Sequence, residues 1–386
     1  MPNDTRTLTS QGGRTDRACI HPMPLPIAGW AVAVAAVSAV VTYLAGNTQF
    51  APGACSRLEA HAGSFLVGQD LALRLATDAI CDHLDDPNPA RPLILSAHGP
   101  PGVGKSLFHL LAAQALYSKN PSEAMKCPGH DCAGYKVMYG MDYVASERAE
   151  QQGLLRSALI DHVRRTPEAL IVVEEYDKLD CGMRGFFRQF LENGAVGNVT
   201  LNKAIILLES NLGYLQLLGL LKASRSRAEV TAEQAQRVLK DLIFERWERQ
   251  ACEDRTDTLK MVGLVDIFLP FFPLEASHLR ALFEARLERR SQALAQAGVG
   301  RLAWDAAVLD FLISHVEFDG AYPLEGAKEV AVVLTKTVSR PVRRWAEEQQ
   351  RRQAPASTGK GEGTDVPHCA LQVVKPLGRP RQLVCA

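Results

Sequence analysis

The chain of 386 residues is 47% hydrophobic and 22% charged, and its formal net charge is zero. This composition excludes an intrinsically disordered protein, and the neutral balance gives no reason to expect a nucleic-acid partner. The nine cysteines are odd in number and scattered, so they do not indicate a small disulfide-stabilised scaffold.

The first predicted element is an uncharged apolar segment, Leu25–Leu44, which is long enough to cross a bilayer as a helix. Three arginines precede it, whereas only Arg57 follows it closely. This bias predicts a cytosolic tail over 1–24, a membrane anchor over 25–46 and a lumenal body. A cleaved signal segment and a buried helix are the alternatives. In a lumenal body, Asn198 in the sequence Asn-Val-Thr would be an acceptor for N-glycosylation.

The folded body follows a linker over 47–57 and alternates helices with apolar strands. Apolar residues recur at spacings of three and four from Leu58 to Leu84, which predicts mostly helix. A helix from Lys105 to Tyr117 is predicted directly after a glycine-rich loop. The alternation predicts an α/β domain over 58–273. Short apolar runs predict buried parallel strands at Pro92–His98, Leu170–Val173 and Ala204–Leu208.

The pattern becomes purely helical from about Leu274. We therefore expect a small helical domain over 274–346. The remainder, 347–386, is rich in polar and small residues, which predicts a disordered tail. The predicted helices of the small domain are Glu275–Ala295, Trp304–Val316 and Leu324–Trp345.

The glycine-rich loop carries the most specific motif. It matches G-x-x-x-x-G-K-[ST], a pattern in which backbone N–H groups surround phosphates at the start of a helix. Lys105 would reach the β and γ phosphates, and the Ser106 hydroxyl would bind Mg²⁺. The predicted ATP-binding residues are Gly99, Pro100, Pro101, Gly102, Val103, Gly104, Lys105, Ser106 and Leu107.

Polar residues also follow the two other predicted strands. After Leu170–Val173, Glu174 would bind Mg²⁺ and Glu175 would polarise the attacking water. After Ala204–Leu208, Asn211 would position water against the γ-phosphate. The plainer interpretation is that these residues only end buried strands. Glu174 stands where aspartate is usual, and its longer arm leaves slow hydrolysis open.

These motifs, in this order, resemble AAA+ ATPases, and further stretches resemble the torsin family. The resemblance implies a P-loop AAA+ large domain, with a parallel sheet flanked by helices, followed by a small helical lid. It also implies that Asn211 is a first sensor and that Lys328 is a second sensor reaching the γ-phosphate from the lid. The resemblance covers roughly residues 58–345 and rests on Val67-Gly68-Gln69, DDPNPARPLILSAHGPPGVGKS, EEYDKLDCG, KAIILLESNLG, VDIFLPFFPLEASHLR and LEGAK.

The sequence departs from the patterns of torsins and unfoldases at several positions. Ser106 stands where torsins typically have asparagine. Ala327 and Leu282 stand where many torsins have a cysteine pair, so a redox switch through that pair is not expected. Clp-type unfoldases have an arginine at a position that corresponds to Leu264 here, and an alternative alignment with the nearby Arg255 or Lys260 stays open. These unfoldases also present an aromatic loop to polypeptide, whereas the corresponding segment 145–153 has no aromatic residue.

Torsins share these last two absences, which implies a partner that completes the site. The expected partner is an activator of the lamina-associated-polypeptide type, whose lumenal domain supplies an arginine. The resemblance thus implies a chaperone-like ATPase of the endoplasmic reticulum lumen and nuclear envelope that uses ATP and Mg²⁺, in a homo- or hetero-oligomeric ring. The alternatives are a self-sufficient Clp-like unfoldase ring and a nucleotide-gated scaffold that does not hydrolyse ATP.

The cysteines leave several pairings open. Cys127, His130 and Cys132 form half of a zinc site, but no second ligand cluster is evident in the sequence. In an oxidising lumen a local Cys127–Cys132 disulfide is favoured over zinc, with free thiols as the other alternative. We expect the remaining cysteines of the body, Cys81, Cys181 and Cys252, to be buried or without a partner.

Overall fold

The computed structural model describes residues 49–142, 148–353, 367–375 and 380–385. The predicted cytosolic tail over 1–24 and the predicted anchor over 25–46 lie outside these residues. No helix within the described ranges combines the length and the apolar character needed to span a bilayer.

The described ranges contain twelve α-helices and twelve β-strands. The helices are α1 (Ala54–Gly63), α2 (Asp70–Asp85), α3 (Lys105–Tyr117), α4 (Arg148–Arg165), α5 (Cys181–Asn193), α6 (Tyr214–Ala223), α7 (Ala232–Gln250), α8 (Arg255–Gly263), α9 (Ala276–Gln296), α10 (Ala306–Ile313), α11 (Lys328–Thr337) and α12 (Ser339–Gln353). The strands are β1 (Leu93–His98), β2 (Tyr135–Tyr139), β3 (Leu170–Glu174), β4 (Ala195–Val196), β5 (Val199–Thr200), β6 (Ile205–Ser210), β7 (Ile267–Pro270), β8 (Arg301–Ala303), β9 (Phe318–Asp319), β10 (Tyr322–Pro323), β11 (His368–Val374) and β12 (Gln382–Cys385).

The centre of the fold is a parallel sheet of five strands in the order β2-β3-β6-β1-β7. Every residue of β1 and β6 is buried, as expected where helices cover both faces of a parallel sheet. Because side chains alternate along a strand, Leu95 enters one core and its neighbour Ile94 enters the other. This arrangement confirms the predicted α/β fold of the P-loop AAA+ type.

The first of these cores continues from the sheet into the C-terminal helices. Leu95 of β1 belongs to the same cluster as Phe283 of α9, Leu312 of α10 and Val330 of α11. The buried core therefore crosses the predicted domain boundary at residue 273. The helices of the lid pack on the side of the sheet that α1, α2 and α3 also cover.

The predicted helical lid and disordered tail need correction. Helix α12 continues to Gln353, and β11 and β12 join β8 in a three-stranded sheet. Cys369 and Leu371 are buried, because alternate residues of β11 face the lid. The disorder prediction over 347–386 was therefore wrong for the described residues of this range. The alternating apolar pattern is short, and the polar residues before it obscured it.

Eight of the nine cysteines form disulfides, and the ninth, Cys19, lies outside the described residues. The prediction for Cys81, Cys181 and Cys252 was wrong, because each has a partner and none is fully buried. Cys181 begins α5 and its partner follows α7, 71 residues later, a connection that spacing alone cannot specify. The four pairs are Cys55–Cys81, Cys127–Cys132, Cys181–Cys252 and Cys369–Cys385.

Candidate functional site

The candidate site lies at the carboxyl edge of the central sheet, where β1, β3 and β6 end. Residues that follow parallel strands meet at such an edge. The loop Gly99–Gly104 leaves β1 and enters α3. A Cβ at Gly102 would lie 2.0 Å from the carbonyl oxygen of Glu325, and one at Gly99 would lie 2.1 Å from that of Phe271. The loop is therefore held between the lid and the end of β7 so closely that these positions require glycine.

Lys105, the first residue of α3, is only 4% exposed. Its ammonium group donates to the carbonyl oxygens of Gly99 and Pro100, each at 2.9 Å, and to Oδ1 of Asn211 at 3.0 Å. Burial is the main cause that lowers the pKa of Lys105 to about 8. An anion bound at the loop would favour the charged form of this lysine.

The lid contacts the loop through the turn that precedes α11. The N–H of Ala327 donates to the carbonyl oxygen of Gly102 at 2.8 Å. Lys328 begins α11, and its charge further lowers the pKa of Lys105. Two lysines of like charge are thus gathered beside the loop, and a phosphate chain would relieve their repulsion.

The acidic residues after β3 adopt an unusual backbone. Glu174 ends the strand, and Glu175 has a φ of +53°, in the left-handed region that non-glycine residues seldom adopt. Its carbonyl oxygen packs on Gly140, where a Cβ would approach it to 2.3 Å. Such a conformation costs about 1–3 kcal/mol and is frequent at functional sites. The backbone thus turns sharply at the residue predicted to polarise water.

Glu174 contacts polar side chains that belong to none of the motifs predicted for the site. Nε2 of His109 lies 3.0 Å from Oε1 of Glu174 and 3.3 Å from Oε2 of Glu209. Nδ1 of His109 lies 2.6 Å from the hydroxyl of Tyr135. The Ser106 hydroxyl donates to both oxygens of Glu209 at 3.1 Å. Glu209 and His109 therefore link the phosphate loop to the end of β3.

These unpredicted residues are deeply buried. His109 is 3% exposed and Glu209 is 7% exposed. Burial opposes a charge on the His109 ring, but the hydrogen bonds to Glu174 and Glu209 raise its pKa above the ordinary value. Two sequence signals pointed to this group. Glu209 is an acid in an apolar run, and buried acids need partners. His109 lies three residues after Ser106 on α3, so both occupy one helix face.

The structure places the predicted site residues as follows. Lys105, Ser106, Glu174 and Asn211 meet at the carboxyl edge, and the lid brings Lys328 close to them. The side chain of Glu175 is half-buried, and Leu107 on α3 is 37% exposed. Their chemical roles stay predictions.

Two other predicted sites lie at the opposite edge of the sheet. Asn198 is exposed in the turn between β4 and β5. Gly194, which precedes that hairpin, packs beside Pro92 at the start of β1. The Cys127–Cys132 disulfide lies in the segment that leads into β2. Neither belongs to the candidate site.

Comparisons with known proteins agree with these features. The family model described as Torsin matches residues 46–126, which include the phosphate loop. Torsin-3A of Rattus norvegicus is 30% identical over 222 residues, which are 56% of this chain and 53% of the rat protein. A torsin-like protein of Caenorhabditis elegans is 25% identical over 280 residues, 71% of this chain and 74% of that protein. A torsin-like protein of Drosophila melanogaster is 25% identical over 291 residues, which are 72% of this chain and 79% of that protein.

The chain is therefore similar to proteins of the torsin family, over the phosphate loop and over much of the remaining sequence. The alignment spans only about half the length of the rat torsin. Leu264, which the sequence predicts to stand at the position of the unfoldase arginine, is a half-buried residue that caps α8. The Asp266 carboxylate beside it accepts from the N–H of Ile94 at 2.8 Å and pairs with Arg91. This segment therefore stabilises the edge of the sheet. Within 145–153, residues from Arg148 onward begin α4, and 145–147 lie outside the described residues.

The residues of the candidate site fit the group that the resemblance to torsins implies. Ser106, Glu174 and Glu209 offer the hard oxygen ligands that Mg²⁺ prefers, within a chain of direct hydrogen bonds. The start of α3 provides N–H groups and a positive dipole for phosphate oxygens. Lys105 and Lys328 supply compensating charge. The site therefore suits a magnesium-bound nucleoside triphosphate.

Proposed function

We propose that this protein is a torsin-like ATPase that binds and hydrolyses ATP at the carboxyl edge of its central sheet. The observation that carries the proposal is the convergence of the buried Lys105, which contacts Asn211, with Lys328 of the lid. Since the lid touches the loop at Gly102, nucleotide bound there would contact both parts of the protein. Binding would therefore set the position of the lid, and the nucleotide state would control contacts with other proteins.

The metal ion would be bound by Ser106 together with the carboxylate at the end of β3. Ser106 and Glu174 would hold Mg²⁺, which would neutralise the charge that develops during phosphoryl transfer. Ser106 now donates to Glu209, so it would exchange this hydrogen bond for the metal. Glu174 would likewise give up its contact with His109. These exchanges favour slow turnover in the isolated chain.

The hydrolytic step falls to the residues at the ends of β3 and β6. Glu175 would accept a hydrogen bond from the attacking water and orient it, because the strained backbone fixes the direction of its side chain. Asn211 would hold the same water, and Lys105 would leave the Asn211 amide for the γ-phosphate. Lys328 would stabilise the charge on the γ-phosphate from the lid.

An arginine from a partner would complete the site. The aligned position, Leu264, is half-buried and carries no charge. We therefore propose that a membrane-bound activator of the lamina-associated-polypeptide type supplies the arginine from its lumenal domain, within a homo- or hetero-oligomeric ring. The assembly would remodel protein or membrane complexes in a chaperone-like way.

The disulfides support a lumenal location of the proposed activity. Structural disulfides persist in oxidising compartments such as the lumen of the endoplasmic reticulum, and four are described here. Asn198 is exposed in a two-residue turn, where a glycosylation enzyme can reach it. Glycosylation in cells, abolished equally by Asn198→Gln and Thr200→Ala, would support a location in the endoplasmic reticulum lumen and nuclear envelope. An unmodified wild-type chain would argue against it.

The deciding experiment measures ATP hydrolysis by the full chain, alone and with the lumenal domain of a candidate activator. We expect little turnover alone and at least about tenfold more with the activator. Glu175→Gln should abolish turnover and retain ATP binding, whereas Glu233→Gln, an exposed glutamate of α7, should leave both unchanged.

Two other outcomes would favour different functions. Strong turnover by the chain alone, lost in Glu175→Gln, would favour a self-sufficient unfoldase ring. ATP binding without turnover under either condition would favour a nucleotide-gated scaffold, for which the contact of Glu174 with His109 is the supporting observation.

A further inference from the structure

The side chains of His109, Glu174 and Glu209 form a compact group, the imidazole–carboxylate cluster. One nitrogen of His109 and one oxygen from each glutamate all lie within 4.8 Å of one another. We propose that this cluster binds a divalent transition-metal ion, with zinc as the representative, and leaves a fourth position for the Ser106 hydroxyl or water.

The distances suit such an ion. Zinc bonds nitrogen and carboxylate oxygen at about 2.0–2.2 Å, so two ligand atoms in a tetrahedral site lie about 3.3 Å apart. Nε2 of His109 lies 3.0 Å from Glu174 Oε1 and 3.3 Å from Glu209 Oε2. The Ser106 hydroxyl lies 3.1 Å from the same carboxylate of Glu209. Three of the six ligand–ligand distances are therefore already close to those of a tetrahedral zinc site, and the Glu174 and Glu209 oxygens lie within 4.8 Å of each other.

The chemistry of the ligands favours a transition metal over magnesium. An imidazole nitrogen suits zinc, copper, iron and nickel, whereas magnesium prefers a shell made of oxygen atoms. The other nitrogen of His109, Nδ1, lies 2.6 Å from the hydroxyl of Tyr135. Such an outer hydrogen bond fixes the orientation of a metal-binding histidine. Tyr135 is therefore a positioning residue for the cluster.

Charge gives an independent reason for a cation at this place. Two carboxylates share a site in which Glu209 is 7% exposed and His109 is 3% exposed. Buried carboxylates are stable when they are paired or coordinate a metal. The nearby ammonium of Lys105 is engaged by two carbonyl oxygens and by Asn211. A divalent ion would replace the N–H of His109 in its contacts with both carboxylates and would neutralise them, with an uncharged imidazole as the third ligand.

The cluster shares Ser106 and Glu174 with the proposed ATP site, but binding of the ion does not require ATP. Zinc binding is therefore measured without nucleotide, and ATP binding is measured separately without zinc. A chain that binds zinc and not ATP would contradict the proposed function alone. A chain that binds ATP and not zinc would contradict the cluster proposal alone.

The experiment uses the full chain with Cys19→Ser, so that the one cysteine outside the four disulfides does not contribute a ligand. Zinc affinity is measured by competition with a chromophoric chelator, and cobalt absorption reports the coordination number. We expect one zinc per chain, not displaced by an equal concentration of magnesium. His109→Gln and Glu209→Gln should each weaken zinc binding on the order of 100-fold or more, and Tyr135→Phe about tenfold.

The matched control is His162→Gln, which replaces a buried histidine that contacts the carbonyl oxygen of Gly134. It should keep the zinc affinity of the parent chain. Circular dichroism checks the fold of each variant, and Glu174→Gln replaces His109→Gln if the latter does not fold. Absence of zinc binding, equal competition by magnesium, or unchanged affinity in the folded cluster variants would overturn the proposal.

Discussion

The two sides of the candidate site differ in what shapes them: backbone packing on one side and side-chain contacts on the other. The phosphate side, Gly99–Gly104, is shaped by backbone packing, since neighbouring carbonyl oxygens leave no space for a Cβ at Gly99 or Gly102. The acidic side is shaped by side chains at the ends of β3 and β6, which meet at His109. The shape of the phosphate side therefore depends on the backbone conformation, and that of the acidic side depends on which side chains lie close together.

This difference explains where the sequence keeps the usual motif and where it departs. A backbone that must turn back on itself around phosphates tolerates little change in its glycines and lysine. Oxygen ligands can come from more than one position, provided that they reach the same point in space. The chain accordingly keeps the glycines and the lysine of the general phosphate-loop pattern, whereas it has Glu174 in place of aspartate and Glu209 as an additional buried acid.

The largest effect is expected from Lys105→Ala. The variant removes the buried ammonium that would contact the β and γ phosphates, so ATP affinity should fall about 100-fold, near 3 kcal/mol. Isothermal titration with ATP and Mg²⁺ measures this, with Lys119→Ala, an exposed lysine after α3, as the control. Equal affinity in both variants would mean that the loop does not hold phosphate.

A second change tests the backbone argument directly. Gly102 and Gly298 both have positive φ, at +74° and +71°, but only at Gly102 would a Cβ meet an oxygen, that of Glu325. Gly298→Ala should cost about 1 kcal/mol of unfolding free energy through its backbone, and Gly102→Ala about 1–3 kcal/mol more. Chemical denaturation measures both. Equal losses would show that the contact between loop and lid contributes nothing to stability.

The same contrast separates what the sequence predicted from what it did not. The loop, the helix from Lys105 and the strands β1, β3 and β6 follow from local patterns, so they were predictable within a residue or two. The contact of His109 with Glu209 joins residues a hundred positions apart, and the Cys181–Cys252 pair joins residues 71 apart. Neither has a local signature. Their partners are chosen by packing, which a single sequence does not display.

The C-terminal strands were missed for a related reason. Strand β11 pairs with β8 through residues such as Ala370 and Ala303, which are separated in sequence by α10, α11 and α12. Its apolar residues, Cys369 and Leu371, favour a strand only because they can be buried against the lid. Low sequence complexity just before it outweighed that short alternation. Tertiary context therefore decided the structure of this segment.

The buried histidine directly before the phosphate loop, His98, should make the free energy of unfolding depend on pH. Burial and then the charge of Lys105 lower the pKa of His98, the residue before the loop, to about 3 from its ordinary 6.5. Its uncharged ring lies against Ser96 and Tyr176. Below pH 6.5 the unfolded chain binds a proton at His98, whereas the folded chain does not. The contribution of His98 to the free energy of unfolding is therefore complete above pH 6.5 and is lost as the pH falls toward 3.

Between pH 7 and pH 5 this loss amounts to about 2 kcal/mol. In His98→Gln the free energy of unfolding should therefore fall less steeply with acid by about that amount. Urea denaturation at several pH values measures the difference. Burial also lowers the pKa of His83, His162 and His278, so some acid sensitivity should remain in the variant. If the free energy of unfolding depends on pH in the same way in both proteins, His98 is not the source of the acid sensitivity.

The smallest effect is expected on the acidic side, from Glu174→Asp. Removal of one methylene draws the carboxylate away from His109, which now lies 3.0 Å from it, and the lost hydrogen bond should cost about 1 kcal/mol of unfolding free energy. Glu209 remains within 3.3 Å of the same imidazole and next to Ser106, so an oxygen ligand stays in place. Activator-stimulated ATP turnover should therefore change by less than about threefold, under 1 kcal/mol. A loss as large as that of Lys105→Ala would mean that the acidic side is as intolerant as the phosphate side. In that case Glu209 would not share the metal-binding role, and the position of one carboxylate at the end of β3 would decide the chemistry alone.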